Sequence, residues 1–196
     1  MAEQTVRVSG SFCGREEFLT QSFDRLERYL RRETARGVAR FGVTRMETTK
    51  MNMTNSVDRF VDWYGDGSDG AAPGADQWSA ILNRDPAQPL TLINFFKFNE
   101  RAHYQGDGQA LSGSEAFDLY AAVSIPTMQR IGGRFLLVAP FEATFIGASE
   151  EWDLVAIGSY PNLQAFLDLY QDENYRAAFA HRTAACARQK VLLAAA

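Results

Sequence analysis

The sequence predicts an α+β fold: a ferredoxin-like βαββαβ domain over residues 86–196, preceded by a mainly helical N-terminal extension over residues 1–85. Three observations predict it. Between Leu90 and Leu193 the hydrophobic pattern switches between strand-like and helix-like periods in the order β, α, β, β, α, β. Both helices of that series open on a capping residue. The strands are apolar at successive positions, the pattern of a sheet covered on both faces.

Each element has its own justification. Thr91–Phe98 (TLINFFKF) is β-branched and aromatic, hence a strand. Asn94 and Lys97 interrupt it and point to opposite faces, and Asn94 shares its face with Leu92, Phe96 and Phe98. Ser112 and Glu115 form a capping box for a helix carrying Phe117, Tyr120, Val123, Met128 and Ile131. Pro126 removes one internal hydrogen bond and is expected to kink that helix, and Gly132–Gly133 ends it. Arg134–Ile146 and Glu151–Tyr160 are expected strands of a hairpin turning at Gly147–Glu150. Asn162 caps the next helix, Asp172 interrupts it before Glu173–Arg182, and Arg188–Leu193 is the last strand.

The extension is less regular. Thr5–Phe12 is a candidate strand. Glu16–Ala35 is a candidate helix with Leu19, Phe23, Leu26 and Leu30 on one face and Gly37 as its stop. Arg25, Arg28, Arg31, Arg32, Arg36, Arg40 and Arg45 make a basic run, either a solvated face or a docking surface for an acidic partner or a second subunit. Asn55–Tyr64 is a second helix, and 65–76 a Gly-rich linker. Asp66, Asp69 and Asp76 lack the alternate spacing and closing Glu of a calcium loop. Trp78, Ile81 and Leu82 suggest a further helical turn or two.

Composition narrows the function classes. The 196 residues carry a net charge of −4 with 46% hydrophobic and 22% charged residues. An acidic chain is not expected to bind nucleic acid, which needs a basic surface. No apolar run is long enough for a membrane span, and Met1–Ser11 lacks the apolar core of a signal peptide, so the expected compartment is the cytoplasm. Cys13 and Cys186 are expected to be reduced and packed.

A four-stranded sheet with both helices on one face leaves the other bare. Trp152, Leu154 and Ala156 alternate with Val155 and Ile157, so both faces are apolar and the second needs a cover. A second copy related by a two-fold axis supplies one, which makes a homodimer the expected assembly. The extension is the alternative cover.

The motif series from Asn94 to Arg182 also resembles a known family. Asn94, Lys97 and Phe98, the Arg101–Tyr104 run, Ser112–Gly113 with Glu115–Ala116, Gly132–Arg134, Gly147, Trp152–Asp153, Tyr160–Pro161, Phe166, Tyr175–Arg176 and His181–Arg182 are together similar to the domain of unknown function 1330. The resemblance covers about Pro86 to Val191. Phe95, Phe96 and Asn162 depart from it, standing where the family usually has leucines and often serine. It implies a dimeric α/β barrel, a superfamily that includes cofactor-independent monooxygenases, polyketide cyclases, haem-degrading enzymes and muconolactone isomerases. It assigns no activity.

Within that fold, His181 is a candidate acid or base, with Asp153 to orient it or to pair with Arg182, and Arg182 to bind a carboxylate or enolate. The bland alternative is a buried pair tying the last helix to the sheet. Asn94, Phe96, Phe98, Tyr120, Arg134 and Trp152 are candidate substrate-binding residues, with Phe95 and Phe145 as further aromatic lining. His103 and His181 are the only histidines, too few for a catalytic zinc site, and no phosphate loop, dinucleotide fingerprint or nucleophile elbow is present, so no cofactor and no metal are expected. Two readings result: a cofactor-independent enzyme acting on a small hydrophobic or polyketide-like molecule, or a non-catalytic ligand-binding or structural dimer.

Overall fold

The computed structural model describes residues 53–104 and 110–195. The chain divides into two compact units, 1–43 and 44–196, and all described residues belong to the second. The strand at Thr5–Phe12, the helix at Glu16–Ala35, the basic run from Arg25 to Arg45 and Cys13 lie outside the described residues.

Two helices precede the sheet: α1 (Met53–Tyr64) and α2 (Ala75–Leu82). There follow β1 (Leu90–Phe98), α3 (Gly113–Arg130), β2 (Arg134–Pro140), β3 (Leu154–Tyr160), α4 (Leu163–Gln171), α5 (Glu173–Ala185) and β4 (Cys186–Ala195). The strands form one antiparallel sheet in the order β2-β3-β1-β4. That order, with helices crossing between β1 and β2 and between β3 and β4, is the ferredoxin-like arrangement. Among the described residues no helix is long and apolar enough to cross a membrane.

The caps form as the sequence predicts. The Glu115 amide donates to Ser112 Oγ at 3.2 Å and the Ser112 amide to Glu115 Oε2 at 2.7 Å. The Ala165 amide donates to Asn162 Oδ1 at 2.8 Å. Asp172 is extended (φ −65°, ψ 128°), ends α4 and caps α5 by accepting from the Tyr175 amide at 2.9 Å. The helix α3 runs through Pro126 without interruption.

Alternation sorts the strand residues onto two faces. Leu90, Leu92 and Phe96 of β1 and Leu154, Ala156 and Tyr160 of β3 are buried toward the helices. Ile93, Phe95, Val155 and Ile157 are half-buried on the other face, joined there by Leu137 and Leu192, each 44% exposed. One face is therefore packed and one is open among the described residues.

The packed core crosses residue 86. Phe60 of α1 stacks on Trp78 of α2 at 4.3 Å and 15°, and Trp78 meets Tyr170 of α4 edge-on at 5.1 Å. Tyr64 donates its hydroxyl hydrogen to the Tyr170 carbonyl at 2.7 Å. Trp78 and Phe60 are buried with Leu90, Tyr175 and Phe179 in one cluster. Burial of side chains this size contributes about 1.5–3 kcal/mol each, so the 53–82 segment is bound into the domain by its rings.

The hairpin differs from expectation. The strands stop at Pro140 and start at Leu154, and residues 141–153 form an irregular connection instead of continuing to Ile146 and from Glu151. The alternation of Phe141–Ile146 resembles a strand, but Phe145 is 97% and Ile146 85% exposed, and only Phe141, edge-on to Phe95 at 6.1 Å, packs on the sheet among the described residues. Among the described residues the link across its base is the Phe141 amide to the Asp153 carbonyl, 3.2 Å.

Gly113 sits where backbone from Asn99 and Ala185 converges. A Cβ there would lie 2.4 Å from the Asn99 oxygen and 2.5 Å from the Ala185 oxygen, with no flexible side chain to yield. Gly113→Ala is expected to cost about 2–3 kcal/mol of unfolding free energy in urea titration, as overpacking does.

Candidate functional site

The inward stripe of α5 is Tyr175, Ala178, Phe179 and Arg182, all buried. Arg182 thus occupies an apolar position of an amphipathic helix. Its Nε donates to Gln189 Oε1 on β4 at 2.7 Å, and one terminal nitrogen lies 3.4 Å from the Tyr120 hydroxyl of α3. Its guanidinium carbon stands 5.0 Å from the Phe96 ring centre, 5.2 Å from Phe179 and 5.7 Å from Tyr120. Burial works against the charge, Coulombic coupling to the titrating hydroxyls of Tyr120, Tyr175 and Tyr170 raises the pKa above the ordinary arginine value, and at neutral pH the group is a cation. Burial pushes the hydroxyls of Tyr160, Tyr170 and Tyr175 up, which leaves them neutral phenols around that cation.

Beside Arg182 lies a cavity of about 510 Å³ between the helix-bearing face of the sheet, the loop 67–73 and α2. Leu92, Val191 and Leu193 come from the strands, Phe166, Tyr170 and Phe179 from α4 and α5, and Trp78 and Ile81 from α2. Gln189 orients two walls at once: its Oε1 accepts from Arg182, and its Nε2 donates to the Ala71 carbonyl of the loop at 3.3 Å. In that loop Asp66 and Asp69 accept from the amides of Ser68 and Ala71 at 2.9 and 2.8 Å, so these carboxylates build turns.

The predicted catalytic trio is not brought together. Asp153 accepts from Lys97 Nζ at 3.0 Å and from the Phe98 amide at 2.7 Å, pinning the end of β1. His181 shares a 2.7 Å hydrogen bond between its Nδ1 and the Tyr104 hydroxyl. Arg182 alone of the three lines the cavity. The reason is helical geometry: neighbours on α5 point about 100° apart, so Arg182 faces the core while His181 turns toward the segment after β1.

The predicted binding residues divide between the two faces of the sheet. Asn94, Phe96, Phe98 and Tyr120 are on the helix side. Asn94 is satisfied by protein, its Nδ2 donating to the Ala156 carbonyl at 3.0 Å. Phe96 and Phe98 pack on Phe117 at 4.8 and 5.0 Å, and Tyr120 shares a 2.9 Å hydrogen bond with the Tyr175 hydroxyl. Trp152 packs instead against Phe95 and under Arg188 on the open face, its Nε1 donating to Glu150 at 2.8 Å. Arg134 is exposed at the start of the edge strand β2, in register with Ser159 on that same open face. These six residues cannot line one pocket within a single chain.

Sequence reasoning missed Trp78, Gln189 and the loop 67–73 as cavity walls. A readable signal existed for Arg182: Tyr175, Phe179 and Arg182 fall at helical spacing, which places a cation in an apolar stripe. Cys186 is a free thiol whose pKa burial pushes up to about 12.

The fold defines a ferredoxin-like α+β protein with a cavity on the helix-bearing side of its sheet. Residues 110–196 match the family described as domain of unknown function 1330. Two solved structures of a protein of unknown function from Rhodopseudomonas palustris are similar to this chain. The first, in methylated form, is 31% identical over 64% of this chain and 93% of that one, with a TM-score of 0.60. The second is 30% identical over 63% and 94%, with a TM-score of 0.59. No curated protein matches. The chain belongs to the domain of unknown function 1330 family.

Asp153→Ala strands the Phe98 amide and Lys97, and is expected to cost about 1–3 kcal/mol in chemical denaturation. Asp153→Asn, which keeps one acceptor, should cost less. Cys186 is expected to resist iodoacetamide at pH 8, where its thiol stays protonated, and to be alkylated once the chain is denatured, as read by peptide mass spectrometry.

Proposed function

We propose that this chain is a small-molecule-binding protein that acts as a homodimer, with the open faces of two sheets set against each other to close a dimeric α/β barrel. The observation that carries the binding reading is the cavity of about 510 Å³, a size that suits a small organic ligand. Its lining is mostly apolar, so the ligand is a small, largely hydrophobic molecule.

The dimer reading is supported by the open face. Ile93, Phe95, Leu137, Ile157 and Leu192 form an apolar surface on a sheet whose other side is already packed. A surface of that kind, rimmed by Arg134, Lys97 and Arg188, is what a second copy covers at an isologous interface.

A second reading, cofactor-independent proton-transfer chemistry, has one observation in its favour: the 2.7 Å contact of Tyr104 with His181 joins two groups able to pass a proton. Neither residue lines the cavity, and binding without chemistry is therefore the reading favoured here.

Sedimentation equilibrium at micromolar concentration is expected to give twice the chain mass, and Ile157→Arg to give the chain mass with far-ultraviolet circular dichroism unchanged. A wild-type monomer would sink the dimer. His181→Ala is expected to leave ligand affinity in calorimetry within about twofold. A loss of ten times that size would place His181 at the ligand after all.

A further inference from the structure

Arg182 is 6% exposed, and none of the ion pairs among the described residues includes it. Among the described residues the side-chain ion pairs use Lys97, Arg130, Arg176 and Lys190. What surrounds Arg182 is a carboxamide oxygen, phenol oxygens and ring faces. Dipoles of this sort orient a guanidinium without neutralising it. Taking an ion out of water costs several kcal/mol unless a counter-charge is supplied, and this one borders an open space rather than solid packing.

Of the other polar side chains of the lining, Gln77 Oε1 accepts from the Gly74 amide at 2.7 Å and Gln189 bridges Arg182 and Ala71. The cavity therefore offers one cation without a carboxylate partner, set among aliphatic and aromatic walls.

We propose, on the footing that the cavity is a ligand site, that it takes a small monocarboxylic acid with an apolar or aromatic body, its carboxylate held by Arg182. The planar guanidinium matches a carboxylate in shape. Its single positive charge is matched by one carboxylate and not by a doubly charged phosphate ester, whose second charge would stay buried and unpaired. Ile81, Leu92, Phe166 and Phe179 take the body of the molecule. The loop 67–73 and Trp78 form the far wall of the space.

Calorimetry on the full chain tests this with four probes: octanoate, phenylbutyrate and the primary amide of each. Each acid is expected to bind at least about tenfold more tightly than its amide, the ratio a hydrogen bond to a charged group supplies. Arg182→Met removes the charge and keeps an unbranched chain, and is expected to bring acid and amide to parity while the amide still binds. The acid–amide ratio of the unmodified chain stands by itself if that variant does not fold. Equal affinities in the unmodified chain, or a tenfold preference that survives in Arg182→Met, overturn the carboxylate assignment and leave the cavity as a site for neutral molecules. Failure of all four probes to bind overturns the assignment and the binding reading with it.

Discussion

The contact on which the helix-bearing side depends is the stack of Trp78 on Phe60 and its edge-on meeting with Tyr170. A ferredoxin-like sheet needs only two helical connections to cover one face, and α3 with α4 and α5 provides them. The rings of α1 and α2 add a further layer, and they do so at a particular place, beside β4. Without that layer Leu92, Val191 and Leu193 would look out between the helices to solvent. With it they line one wall of the cavity. The aromatic contact thus holds the domain's outer wall and also one wall of the cavity.

The two faces of the sheet follow different rules. On the helix side, hydroxyl oxygens and rings from α3, α4 and α5 converge, and polar groups find one another across elements: Tyr120 with Tyr175, Tyr64 with the Tyr170 carbonyl, Arg182 with Gln189. On the open side, polar groups gather at the rim. Lys97 pairs with Asp153, Lys190 with Glu150, and Arg188 lies over Trp152. An apolar centre with charges at the edge is the layout of a surface that meets another surface.

The order of elements along the chain and both helix caps were legible because each rests on local chemistry: β-branched runs, a Ser–Glu box at 112–115, an Asn at 162. The break at Asp172 was legible for the same reason, since an aspartate can cap where a helix has just ended. The hairpin was overextended because alternation in Phe141–Ile146 carries no information about whether a partner strand is present. The site was only partly legible. Spacing along β1 put Asn94 with Phe96 correctly, but distance across the fold decides which of His181, Asp153 and Arg182 meet, and no sequence period encodes that. The loop 67–73 read as a linker because its glycines and aspartates signal turns equally well in a linker and in the wall of a cavity.

The break at Asp172 also has a consequence of phase. Arg182 follows Phe166 by sixteen residues, roughly 160° around an unbroken helix. In a continuous helix the stripe of Tyr175, Phe179 and Arg182 would point away from the side on which Phe166 and Tyr170 are buried. One extended residue between α4 and α5 resets the rotation, and all five side chains face inward. A capping aspartate that touches no cavity wall is what turns a surface arginine into a buried one.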